Sequence, residues 1–116
     1  MKRLLLAAGA TALLAGAAAA QDAAPKIGII LGFTGPLESI TPFMAQAAEV
    51  AIAEVNAAGG ILGQQVTSER ADSTCIDAAA ATAAAEGLVG GGIIAIMGAD
   101  CSGVTNAILT NVAVPN

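Results

Sequence analysis

The sequence has 116 residues, 30 of them alanine, with 56% apolar and 11% charged residues and no Trp, Tyr or His. Without His the chain can build neither a Ser-His-Asp nor a Cys-His catalytic set. Its two cysteines fall short of the four ligands of an ordinary zinc site, and general acid–base work would fall to carboxylates or Lys. The net charge of −5 argues against nucleic acid, which calls for a basic face.

Met1-Lys2-Arg3 is a short basic start, Leu4 to Gly16 an uncharged run rich in Leu and Ala, and Ala17 to Ala20 a stretch of small residues. That order reads as a secretory signal peptide over residues 1–20, cut after Ala20 in an A-x-A pattern. The competing reading is a membrane anchor. The apolar run is at the short limit for a spanning helix, and nothing basic follows it closely as a stop. Residues 21–116 keep only Lys26 and Arg70 against nine acids. Export makes Cys75 and Cys101 a candidate disulfide; two buried free thiols are the alternative.

Lys26 to Leu31 is a nearly continuous apolar run, the pattern of a parallel strand buried on both faces. Gly32 to Pro36 breaks it with turn residues. Thr41-Pro42 then reads as an N-cap and a proline at the first helical position. Met44, Ala48, Ala51, Ile52 and Val55 fall on one helical face, expected to meet the core, with Gln46, Glu49, Ala53 and Asn56 opposite. Gly59-Gly60 ends that helix.

Val66 to Ala71 is a second strand, polar enough to suit a sheet edge. Ile76 to Leu88 is an alanine-rich helix, stopped by Gly90-Gly91-Gly92. Ile93 to Met97 is a third buried strand. Asp100 to Gly103 forms a polar loop, and Val104, Ile108 and Val112 share a helical face. Val112 to Val114 could open a further strand. Strands alternating with helices indicate an α/β fold with an open parallel sheet and helices on both faces. Three strands are few for such a layer, so a fragment of a longer protein is expected.

Three glycine-rich stretches carry no clear chemistry. Gly32 to Pro36 is not G-x-G-x-x-G, and Pro36 lacks an N–H to offer a phosphate. Gly98 to Gly103 is not G-x-S-x-G, and there is no His to activate Ser102. Gly90 to Gly92 falls on the helix-to-strand side, away from the strand carboxyl ends where ligands bind in α/β folds. The loops around Thr34–Ile40, Asp72–Cys75 and Asp100–Gly103 all follow strands and therefore share that carboxyl edge. Ser102 opens a helix, where it could cap an amide of the first turn or help hold a negative ligand group.

The string KIGIILGFTGPLESITPFMAQAAEVAIAEVNAAGGILGQQV resembles the start of the periplasmic leucine/isoleucine/valine-binding protein family. The resemblance rests on Thr34-Gly35-Pro36, on Glu54 to Ile61, and on Ile96-Met97-Gly98 with Cys101-Ser102 and Thr105. It implies a two-lobed receptor of an ABC importer, with residues 21–116 forming the N-terminal part of the first lobe and the hinge and second lobe absent. It also implies periplasmic location, a small organic solute such as a branched-chain amino acid, an ABC permease as membrane partner, and a Cys75–Cys101 disulfide. A serine after the second cysteine, which holds the ligand carboxylate in leucine-binding members, falls on Ser102. Gly103 and Thr105 lie beside it, and Thr34 and Ile40 are the candidates in the first loop. Ile40 stands where those members have a ligand-contacting tyrosine. A ligand-sensing domain of a signalling receptor and a fragment of a secreted α/β enzyme are the alternatives.

Overall fold

The computed structural model describes residues 23–116; the expected signal peptide and its expected cleavage point lie outside the described residues. Three parallel strands, β1 (Lys26–Leu31), β2 (Thr67–Asp72) and β3 (Ala95–Gly98), form a sheet in the order β2-β1-β3. Helix α1 (Thr41–Ala57) links β1 to β2, α2 (Ala78–Gly90) links β2 to β3, and α3 (Ser102–Ile108) follows β3.

The central strand explains the layering. Side chains alternate along a strand, so Ile30 joins Ala81, Ala85, Leu88, Val104, Ile108 and Val112 on one face. Ile29 and Leu31 meet Ala45, Ala48 and Ile52 of α1 on the other. The sheet therefore carries helices on both faces, as the alternating pattern predicts. β2 is an edge strand, and its residues Thr67 to Arg70 are exposed. They form ion pairs instead of core: Lys26 to Glu69 at 3.2 Å, and Arg70 to Glu49 of α1 at 2.7 Å.

Five sequence expectations change. Thr41 is the first residue of α1 and not its cap, which is Ile40. The Thr41 side chain is buried and its hydroxyl donates to the Gly32 carbonyl at 2.9 Å. The inner face of α1 keeps Ala48 and Ile52 of the apolar stripe but centres further round than apolar spacing reads it. Thr41 and Ala45 point inward, and Asn56 donates to the Val66 carbonyl at 2.8 Å and accepts from the Val66 N–H at 2.7 Å. Met44, Ala51 and Val55 are exposed. Polar side chains that satisfy buried backbone groups belong on the inner face, and hydrophobic spacing counts them as outer ones.

Helix α2 starts at Ala78, because the Asp77 carboxylate accepts from the Ala79 and Ala80 N–H groups at 2.9 and 3.0 Å. β3 is shorter than expected and is not buried. It forms the other edge of the described sheet, so Ile94 is 66% exposed. Val112 to Val114 opens no strand: the chain continues from α3 into a π-helical turn, Leu109–Ala113, that buries Val112 against α2 and α3.

Candidate functional site at the strand carboxyl edge

Three loops meet above the carboxyl ends of β1, β2 and β3, and each is tied to its neighbours. The β1 loop is tied to the end of β2. Asp72 accepts from the Thr34 hydroxyl at 2.6 Å and from the Thr34 N–H at 3.3 Å. Its Oδ1 also accepts from the Thr74 N–H at 2.8 Å, closing a local turn. Thr74 and Cys75 have φ of 56° and 71°. Non-glycine residues, β-branched ones above all, seldom adopt that region, and the Asp72 carboxylate holds the turn there. Partial burial works to raise the Asp72 pKa. The hydrogen bonds from the Thr34 hydroxyl and from the Thr74, Thr34 and Phe33 amides outweigh it, and the carboxyl sits below its usual range.

Gly35 completes this contact. It has φ of +88°, and a Cβ there would lie 2.6 Å from the Thr74 carbonyl oxygen. Only glycine allows both the left-handed backbone and the close approach.

The β2 and β3 loops are joined covalently. Cys75 and Cys101 form a disulfide, with Cα atoms 5.3 Å apart, within the usual span of such a bridge. The pairing that the resemblance implied is present. Asp100, next to Cys101, accepts the Gly32 N–H on both carboxylate oxygens at 3.1 Å. Its Oδ1 lies 3.4 Å from the hydroxyl of buried Ser73.

Ser102 stands exposed as the first residue of α3, with Gly103 exposed beside it. It is not the cap; Cys101 is, and no side chain caps this helix. The N-cap reading of Ser102 is therefore corrected, and its side chain caps nothing. A cleft of about 330 Å³ is lined by Ala99, Asp100, Ser102, Thr105, Asn106 and Leu109. The Thr105 hydroxyl points back to the Ala99 and Cys101 carbonyls, at 3.1 and 2.8 Å. Its proton is held by the backbone, and its lone pairs stay open to a donor. Thr34 is on the same edge with its hydroxyl committed to Asp72, and Ile40, 50% exposed, lies at the start of α1. Apolar spacing and motif templates did not single out Asp72 or Asp100. Their position directly at or after a strand end was the available signal.

A second opening, an apolar groove of about 350 Å³, runs between α1 and the sheet. Ile27, Ile52, Val55, Ile61 and Met97 are among the residues that line it, and the lining is almost wholly apolar, so it offers little to orient a polar solute.

The family profile described as periplasmic binding protein matches residues 24–114. The chain belongs to the periplasmic binding protein family. Among relatives, a Leu/Ile/Val-binding protein homolog 7 of Brucella suis is 40% identical over 73 residues, which is 63% of this chain and 18% of that protein. A Leu/Ile/Val-binding protein homolog 3 of Brucella melitensis is 35% identical over 104 residues, 90% of this chain and 28% of that protein. The solved structure of the branched-chain amino acid transporter substrate-binding protein LivJ of Streptococcus pneumoniae, in complex with isoleucine, superposes with a TM-score of 0.71. It is 30% identical, over 78% of this chain and 26% of that one. An extracellular ligand-binding receptor from Verminephrobacter eiseniae gives the same TM-score, 0.71, at 25% identity. The chain thus spans less than a third of the length of these periplasmic binding relatives.

Proposed function

We propose that the chain is part of the first lobe of an extracytoplasmic solute receptor that captures a branched-chain amino acid or a related small solute for an ABC permease. The observation that carries this reading is the interlocked carboxyl edge, with the exposed Ser102 hydroxyl facing a cleft beside two tethered loops. It is supported by the names of the Brucella relatives and by the isoleucine bound to LivJ.

In this reading residues 21–116 are the N-terminal part of that lobe, and the hinge and second lobe lie in the rest of the protein. The solute's carboxylate is held by the Ser102 hydroxyl and the Gly103 amide. Thr105, with free acceptor capacity, faces the solute's ammonium, and Thr34 and Ile40 shape the far wall. A second lobe closes over the solute. Closure follows from differential affinity, because the solute touches both lobes only when they are shut. Binding of this kind assigns no catalytic residue, cofactor or metal to the chain.

Ser102→Ala in the full-length protein should weaken isoleucine binding by ~1–3 kcal/mol, the range for a hydrogen bond to a charged group. Calorimetric titration beside a melting curve checks this; unchanged affinity would remove Ser102 from the site. The reading also places the protein in the periplasm after cleavage following Ala20. N-terminal sequencing of exported protein should begin at Gln21, and an intact Met1 in membranes would mean an anchor.

A further inference from the structure

We propose that Asp100 is a positioning residue that sets the height of Ser102 over the sheet by latching its segment to β1, an inference that rests on the solute-receptor reading above. The ladder of β1 with β3 ends at Ile30 opposite Gly98, and that with β2 at Leu31 opposite Asp72. Gly32, buried and just past both last rungs, has no strand partner for its N–H. An unpaired buried amide is costly, and the Asp100 carboxylate supplies the acceptor at 3.1 Å to each oxygen. The Gly32 carbonyl is taken by the Thr41 hydroxyl. Both backbone groups of Gly32 are thus held by side chains from other elements, which makes it a fixed reference point.

The packing at that point is close. A Cβ on Gly32 would lie 3.2 Å from the Cys75 Cβ and 3.4 Å from the Asp100 Oδ2. The disulfide ties residue 101 only to the β2 loop; the bond from Gly32 to Asp100 is the side-chain link from this segment to the central strand. Asp100 is also not serving α3: its oxygens turn to Gly32 and Ser73, and Cys101 is the cap residue. Without the carboxylate, residues 100–102 lose the contacts to Gly32 and Ser73 and keep the disulfide. Ser102 then loses the preorganisation that a short hydrogen bond to a solute needs.

The test uses the full-length protein with isoleucine, leucine and valine as probes, in wild type, Asp100→Ala and Asp100→Asn. Two quantities are read: affinity by calorimetry and the Gly32 amide proton shift in 15N-glycine-labelled protein. Asp100→Ala should weaken binding about tenfold and move the Gly32 signal upfield, whereas Asp100→Asn, which keeps one acceptor oxygen, should return affinity to within about threefold. A lowered melting point with unchanged affinity in Asp100→Ala would reduce Asp100 to a stabilising residue and overturn the proposal. So would an Asn variant as weak as the Ala variant, since charge and not the latch would then act. If wild type binds none of the three probes, the receptor reading fails, and the Gly32 signal alone decides: an upfield shift in Asp100→Ala with a near wild-type position in Asp100→Asn supports the latch, and an unmoved signal in Asp100→Ala overturns it.

Discussion

Asp72 shows how one side chain can organise a turn that its neighbours would not choose. Its carboxylate gathers the Thr34 hydroxyl and the Thr34 and Thr74 amides. Those bonds outweigh the effect of partial burial and depress its pKa. The sign follows directly. A carboxyl more acidic in the folded than in the unfolded protein contributes stability above its unfolded pKa, and that contribution is lost as pH falls through the folded pKa. Glu49, held low by its hydrogen bond from Arg70, acts in the same direction. Melting curves from neutral pH down through the carboxylate range should show wild type losing stability at the acid end. Asp72→Asn should be less stable at neutral pH and show a shallower acid decline. An unchanged slope would mean that the turn is held by Gly35 and the disulfide alone. None of this was legible beforehand, because Asp72 reads in the chain as one more turn residue.

Helix α1 was legible as an element and in part as a surface: Ala48 and Ile52 meet the core as expected, while Thr41, Ala45 and Asn56 join them unannounced. Pro42, the run of good helix formers and Gly59-Gly60 located it within a residue of its observed bounds, Thr41–Ala57. Its orientation is set by Thr41 and Asn56, whose side chains stand in for backbone partners at Gly32 and Val66. Asn56→Ala would leave a donor and an acceptor of Val66 unpaired next to a side chain that is only 4% exposed. The expected loss is ~1–3 kcal/mol by chemical denaturation, whereas Gln46→Ala, on the exposed face, should be nearly neutral. Equal effects from the two would show that the Asn56–Val66 pairing adds nothing. The same logic places β3. Its apolar composition announced burial, but its outer edge has no neighbour among the described strands.

At the scale of the molecule, the disulfide joins the β2 and β3 loops, and the Asp72 and Asp100 hydrogen bonds add the β1 loop to the same wall. The disulfide closes a loop with a sequence separation of 26, for which chain entropy alone suggests ~3.5 kcal/mol. Replacing Cys75 and Cys101 together with serine should lower stability by about that amount. In the receptor reading proposed above it should also loosen solute binding, since Cys101 adjoins Ser102. Denaturation and isoleucine titration of the full-length double variant check the two parts, and mass spectrometry of unreduced wild-type digests should show the linked peptides. Full retention of stability would mean that the Asp72 and Asp100 bonds hold the loops by themselves.

The strand-helix alternation, the shared carboxyl edge of the three loops and the candidate cysteine pair were all readable in the chain. They depend on local periodicity and on the rule that loops after parallel strands fall on one side. The resemblance carried by Thr34-Gly35-Pro36 and Cys101-Ser102 added the family. What only the folded structure decided is who partners whom across the chain. Asp100 meets Gly32 over a separation of 68 residues, Thr34 meets Asp72 over 38, and the inner face of α1 turns to polar groups that a hydrophobic count excludes. Such contacts follow from unpaired backbone groups at strand ends. A backbone amide looks the same at every position of a sequence, and becomes a demand for a particular side chain only once the sheet has formed around it.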